Sequence, residues 1–259
     1  MTSHVCVERL ESRCMFSALG KLLLKDDFAG SAVNLQHWHL PLFTADGSTF
    51  LGRTQLAVSQ NASPPRVSKG AVHLTLDTFN PTGFSFYGTE LISNSSFKVG
   101  KGLRVQFRAK LNTPISRGFV GGLFLYEPKP QSLHDEVDVE LLSNQVFKTN
   151  QVQTNVYANE PLGAGSPRFV SLPQGGKLSG YHTYEMTCYP DRVTWTIDGV
   201  LVRTERQKVP RGPFQIYLNL WAPAADWAEA FSAKINPTAE QSANQRFSMD
   251  VDSIVVRAL

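Results

Sequence analysis

Three features of the 259-residue sequence predict an all-β fold, a single antiparallel sandwich. Nineteen Gly and fifteen Pro are spread along the whole chain. Between them lie short segments whose apolar residues recur at every second position, the period of a strand with one buried face. No run of ten or more residues keeps apolar side chains at helical spacing, except Asp226 to Lys234, where one short helix is expected.

The elements follow in order. Val72-His-Leu-Thr-Leu-Asp77 alternates apolar and polar residues. From Leu103 to Leu111, Leu103, Val105, Phe107, Ala109 and Leu111 alternate with Arg104, Gln106, Arg108 and Lys110, so one face enters a core and the other is polar. The interval from Pro130 to Pro161 is the longest without Gly or Pro and opens with His134-Asp-Glu-Val-Asp-Val-Glu-Leu-Leu142. A turn near Ser143 to Gln145 leads into Gln151-Val-Gln-Thr-Asn-Val-Tyr157. Tyr184-Glu-Met-Thr-Cys-Tyr189 is strand-like and makes Cys188 a buried small hydrophobe. In Val193 to Arg203, Asp198-Gly199 between apolar runs reads as a tight hairpin turn, because Gly tolerates positive φ. Ile216-Tyr-Leu-Asn-Leu-Trp221 repeats the alternation. No repeat, low-complexity tract or shift of composition appears after about residue 25. One domain is therefore expected over 26–259, with 1–25 a targeting-like or disordered segment.

Composition excludes several classes. An apolar fraction of 42% with 18% charge is that of a globular chain, not a disordered one. The net charge of +3 is too small and too scattered to draw the chain to nucleic acid. The longest nearly apolar stretch, Gly118 to Tyr126, falls short of the roughly 20 residues of a membrane-spanning helix. Cys6, Cys14 and Cys188 form no Cys-x-x-Cys pair, and His37 and His39 have no third ligand, so no zinc site is expected. A Gly-x-Ser-x-Gly elbow and a Gly-rich Lys loop are both absent from the sequence, which sets aside serine hydrolysis and nucleotide binding.

The acidic strand is where chemistry is expected. Successive side chains of a strand point to opposite faces, so Val137, Val139 and Leu141 go to the core while His134, Glu136, Asp138 and Glu140 share the other side. With 22 acidic residues in the chain, three at alternate positions arise by chance roughly 0.16 times, so spacing alone says little. Like charges side by side repel, which calls for a function to offset the cost; a solvated acidic face or a calcium patch is the plainer account. The neighbouring segments favour a cleft. Their alternation puts Gln153, Asn155 and Tyr157 on one side of one strand, and Tyr217, Asn219 and Trp221 on one side of another, with Trp227 able to extend the surface. Flat aromatic rings suit the apolar faces of sugars and amides suit hydroxyls, so a polysaccharide is the ligand class this lining fits.

Glu136-Val-Asp-Val-Glu140 is similar to the Glu-x-Asp-x-Glu signature of glycoside hydrolase family 16. The likeness extends, in order, through Glu90-Leu-Ile-Ser93, Phe97-Lys-Val-Gly100, Gln153-Thr-Asn-Val-Tyr-Ala-Asn159, Tyr181-His-Thr-Tyr184, Ile197-Asp-Gly199, Leu220-Trp221 and Asp252-Ser-Ile-Val-Val-Arg257. It covers about Asp26 to the end and resembles the lichenase and xyloglucan-acting branch.

The resemblance implies a β-jelly-roll with a concave substrate cleft and a retaining endo-β-glucanase acting on β-1,4-containing glucans. Glu136 would be the nucleophile, Glu140 the acid and then the base, and Asp138 their electrostatic partner. Glu90, His134, Gln153, Asn155, Tyr157, Tyr217, Asn219, Trp221 and Trp227 would bind substrate. No cofactor is implied for catalysis; a structural calcium near the last strand is a family feature, with Asp252 its candidate ligand. A transglycosylase on the same scaffold and a non-catalytic carbohydrate-binding sandwich are the alternatives. The absence of sequence after Leu259 leans toward hydrolysis, and a monomer is expected. Two positions depart from the family pattern: Ala222 stands where Asn often follows Leu-Trp, and Ile92 where a lichenase has Arg. The stretch Leu10-Glu-Ser-Arg-Cys-Met-Phe-Ser-Ala18 resembles an N-terminal pattern of exported bacterial proteins, which points to a secreted or cell-surface location.

Overall fold

The computed structural model describes residues 20–41, 52–56, 65–112, 114–172 and 176–259. Among them sixteen strands follow in chain order: β1 (Lys21–Asp26), β2 (Trp38–His39), β3 (Thr54–Leu56), β4 (Arg66–Ser68), β5 (Ala71–Asp77), β6 (Phe86–Ser93), β7 (Leu103–Leu111) and β8 (Val120–Pro128), then β9 (Leu133–Leu142), β10 (Gln151–Pro161), β11 (Arg168–Ser171), β12 (His182–Cys188), β13 (Val193–Ile197), β14 (Val200–Glu205), β15 (Gln215–Trp221) and β16 (Arg246–Ala258). One α-helix of the described residues, α1 (Ser143–Lys148), joins β9 to β10.

The strands form a jelly-roll of two layers that are halves of one continuous curved sheet. The first layer runs β11-β10-β9-β8-β15-β6 and the second β5-β16-β7-β12-β13-β14. They meet where Asp77 of β5 pairs with Tyr87 of β6. Nearly every pairing is antiparallel; β3 beside β6 is parallel. Between the layers lies a core that includes Val137, Val139, Leu141, Phe107, Trp195 and Leu218. Period-2 sequence produces this directly: each strand gives its apolar face to the core and leaves the other face of its layer free. In the turn between β13 and β14, Asp198 and Gly199 both adopt positive φ, 51° and 80°, as the hairpin reading requires.

Three expectations are corrected. Lys21–Asp26 belongs to the sandwich, because β1 pairs with β16, so the domain begins before residue 26. The export-like stretch Leu10 to Ala18 and residues Cys6 and Cys14 lie outside the described residues. Asp226 to Lys234 is a series of turns, while Ser143 to Gln145, expected as a turn, opens α1. The physical reason lies in who takes the carbonyls. In 226–234 the carbonyls of Glu229 and Ala230, which a helix would use internally, accept from the Asn144 side chain, so tertiary bonds compete with the helical ladder there.

Candidate active site

Residues paired across an antiparallel ladder point to the same side. The registers of β6, β15, β8, β9 and β10 therefore lay side chains in rows across the free face of the first layer. One row runs Glu90, Asn219, Gly122, Glu140, Gln153. The next runs Ile92, Tyr217, Phe124, Asp138, Asn155, and the third Gln215, Tyr126, Glu136, Tyr157. Most of these positions lie on strands in which the intervening residue is a core aliphatic, so the alternation fixes both faces at once.

The three acids are held in a hydrogen-bonded frame. Gln153 Nε2 donates to Glu140 Oε2 at 2.6 Å, and Asp138 shares a hydrogen bond with Glu136. His134 Nε2 lies 3.0 Å from Glu136 Oε2, with its ring stacked on Tyr126 at 5.4 Å and tilted against Tyr157 at 4.4 Å. Asn219 Nδ2 donates to Glu90 Oε2 at 2.9 Å. Beneath the strand, Trp195 Nε1 donates to the Asp138 carbonyl at 2.9 Å, tying the second layer to the acidic strand.

Burial and charge crowding raise the proton affinity of this face. The Asp138 carboxyl is held well above the usual carboxylate range, first by burial, then by the charges of Glu136 and Glu140, with Arg203 opposing. Glu140 keeps part of its surface open to the cleft, yet the protein crowded about its carboxyl pushes its pKa up to about 8; the Gln153 bond pulls it down and the charge of Glu136 pushes it up. Glu90 is raised to about 7 by burial, against the hydrogen bond from Asn219. Burial likewise lifts Tyr157 and Tyr217 to about 12, leaving both phenols as neutral donors. A site with carboxyls that stay protonated near neutrality can perform acid and base chemistry on a bound neutral molecule.

The structure brings together Glu90, His134, Glu136, Asp138, Glu140, Gln153, Asn155, Tyr157, Tyr217 and Asn219 on this face. Trp221 and Trp227 stand at one end, rings 5.7 Å apart, over a small apolar cluster of Val120, Leu142 and Ala230. At the side of β10, Gly165 lies so close to Tyr157 and Asn155 that a Cβ there would meet their side chains at 2.6 and 2.7 Å.

Asp252 is not part of this face. It sits on β16 in the other layer, where Arg108 Nη1 donates to it at 2.6 Å. Among the described residues no three His, Cys, Asp or Glu side chains converge as a metal-binding cluster. His37 and His39 go separate ways, to Asp26 and Asn94.

Sequence reasoning missed four contributors. Phe124 and Tyr126 fill the middle of the floor, with Phe124 stacked on Tyr217 at 5.0 Å and Tyr126 edge-on to it at 5.5 Å. Their alternation with Leu123 and Leu125 is the signal that marks them, masked by the apolar run of Gly118 to Tyr126 in which they lie. Asp135 anchors the start of the acidic strand by accepting from the backbone N–H groups of Asn159, Arg211 and Gly212 and from Lys129. Arg203 lies beneath β10, donating to the Thr154 carbonyl while stacked on Trp195 at 4.5 Å. For Asp135 and Arg203 the partners that tie them to the site, Asn159, Arg211 and Gly212 for the one and Thr154 and Trp195 for the other, are too far off in sequence or too unremarkable to signal it.

Comparison with known proteins gives a consistent picture. The model of Glycosyl hydrolases family 16 matches residues 52–238. A beta-glucanase of Bacillus amyloliquefaciens is 30% identical over 155 residues, 56% of this chain and 62% of that protein. A probable xyloglucan endotransglucosylase/hydrolase of Arabidopsis thaliana is 31% identical over 147 residues, 53% of this chain and 48% of that protein. The matches thus span about three fifths or less of these relatives' lengths. Among solved structures, a prokaryotic β-1,3-1,4-glucanase (lichenase) from a mouse hindgut metagenome superposes with a TM-score of 0.70 at 22% identity, covering 91% of this chain and 99% of that one. The catalytic domain of an endo-1,3-β-glucanase (laminarinase) from Thermotoga petrophila gives 0.69 at 17% identity, covering 92% and 97%.

Proposed function

The chain belongs to glycosyl hydrolase family 16, and from that premise we propose that it is a retaining endo-β-glucanase that cleaves β-1,4-containing glucans, mixed-linkage β-1,3-1,4-glucan or xyloglucan, by double displacement. The observation that carries this reading is the row-by-row placement of Glu136, Asp138 and Glu140 on one free face among amides and aromatic rings, with Glu140 protonated near neutrality.

In this mechanism Glu136 attacks the anomeric carbon and Glu140 gives its proton to the departing glycosidic oxygen. The glycosyl-enzyme ester is then opened by water, whose proton returns to Glu140. Asp138, its proton held by burial, donates to the Glu136 carboxylate and orients it; as the sugar–oxygen bond forms, the charge this bond stabilised disappears. One protonated Asp between two Glu also spares the strand three adjacent negative charges. His134 packs beside Glu136, its ring stacked on Tyr126 and tilted against Tyr157. Phe124, Tyr126 and Tyr217 offer flat surfaces to sugar rings, Gln153 and Asn155 offer amides to hydroxyls, and the buried Asn219 acts behind them by holding Glu90. A polymer substrate supports a secreted or cell-surface location.

A reducing-sugar assay on mixed-linkage glucan, xyloglucan, cellulose oligomers and laminarin tests the reading, with Glu136→Ala run beside the parent and the first-formed anomer followed by NMR. New reducing ends of retained configuration, absent in the variant, are expected. No release from any polymer, inversion, or near-parent turnover by Glu136→Ala would sink it. Incorporation of labelled acceptor faster than reducing ends appear would mark transfer instead.

A further inference from the structure

The segment after β15, from Ala222 to Pro237, has no helix or strand, yet it carries Trp227 at the end of the cleft. Its shape is set from outside. The Arg53 guanidinium donates through Nε to the Pro223 carbonyl at 3.0 Å, through Nη2 to that of Ser232 at 3.1 Å and through Nη1 to that of Ile235 at 3.1 Å. Its plane is held between two rings, Phe86 at 5.0 Å and Phe231 at 4.7 Å. The backbone adds to the clamp: Arg53 N donates to the Ala222 carbonyl at 2.9 Å, and Ala222 N donates to Thr54 Oγ1 at 2.7 Å. One planar fork therefore ties the start of a loop to its last third, about 170 to 180 residues away in sequence, while Asn144 holds the carbonyls of 229 to 231 between them. Its three side-chain hydrogen bonds run to carbonyls of that loop.

We propose that Arg53 is a positioning residue for substrate binding: by tying residues 223, 232 and 235 together it holds Trp227 against Trp221 as a sugar platform, and so sets affinity for long glucan chains without touching sugar or acid. The inference rests on the β-glucan reading of the cleft. Ala222, the departure from the family pattern noted above, is fully buried under this clamp.

Two measurements test it. Trp38 and Trp195 are 0% and 1% exposed, so acrylamide quenching of tryptophan fluorescence reads Trp221 and Trp227 and needs no substrate. Arg53→Ala should raise the quenching constant about twofold, with Arg53→Lys between, because an ammonium reaches one carbonyl and does not stack. In an inactive Glu136→Gln background, Arg53→Ala should weaken binding of a mixed-linkage glucan hexasaccharide about tenfold, with no further loss when Trp227→Ala is added. In the active enzyme KM should rise about tenfold with kcat within about twofold. Unchanged quenching, multiplying losses in the double variant, or a fall in kcat at constant KM would overturn the proposal. Should Arg53→Ala fail to fold, Arg53→Lys carries the same comparisons, and the same results decide for or against the clamp. A parent that binds no glucan defeats the glucanase reading alone; the clamp is then judged on quenching.

Discussion

Glu136 and Glu140 lie four residues apart on one strand, about 13 Å between Cα atoms, whereas a retaining pair works with carboxyls about 5 to 5.5 Å apart. Both side chains must lean inward over Asp138, and each needs its full length. Replacing either by Asp removes a methylene and should lower kcat/KM by roughly three orders of magnitude with little change in melting temperature. Near-normal turnover in steady-state assays would refute the roles. Acidity follows from the same crowding. Activity needs Glu140 protonated, so it should fall as pH rises through about 8. Gln153 stabilises the charged form of Glu140, so Gln153→Leu should move the alkaline limb of the kcat/KM profile upward; a limb that stays or moves down contradicts this order of causes. At this scale most of the site was legible, because a period of two assigns each side chain to a face without any tertiary information. The proton affinities were legible only in direction, since they depend on how much protein surrounds each carboxyl.

Among elements, β8 shows what a strand must give up to carry a cleft. Gly122 lies in the row between Asn219 and Glu140, and a Cβ there would meet Asn219 Oδ1 at 2.3 Å. Gly122→Ala should push Asn219 away from Glu90 and lower kcat/KM about tenfold, while the strand keeps its hydrogen bonds and the melting temperature changes little. A parent-like kcat/KM would show that Asn219 has room to yield. Strand positions were readable from alternation: Leu103 to Leu111 emerges as β7 with the expected faces. The helix expected at 226–234 is lost to a tertiary cause, because local periodicity cannot report that Asn144 takes over the Glu229 and Ala230 carbonyls that a helix would use internally.

For the molecule as a whole, the cleft is a stability burden that depends on pH. The folded state raises the pKa of Glu90 from 4.5 to about 7, so it binds this proton more tightly than the unfolded chain does. The contribution is fully present below pH 4.5 and is lost as pH rises through 7, amounting to up to about 3 kcal/mol. Glu90→Gln should flatten the decline of melting temperature between pH 5 and pH 8; an unchanged slope in calorimetry would show that Glu90 ionises at no cost. Strand β1 tests the extent of the fold, because it covers β16 and its Asp26 accepts from Trp38 Nε1 at 2.8 Å. A chain shortened to begin at Phe28 should melt roughly 5 °C or more below one that begins at Gly20, and equal melting would place β1 outside the cooperative unit. The sequence by itself determined the all-β class, the faces of the strands and the acid triplet with its amide and aromatic neighbours, because these follow from a period of two and from residue chemistry. Only the tertiary structure decided which strands lie side by side, that Phe124 and Tyr126 floor the cleft, that Asp252 answers to Arg108, and that Arg53 shapes a distant loop. Those facts rest on contacts between residues far apart in the chain, which no local pattern encodes.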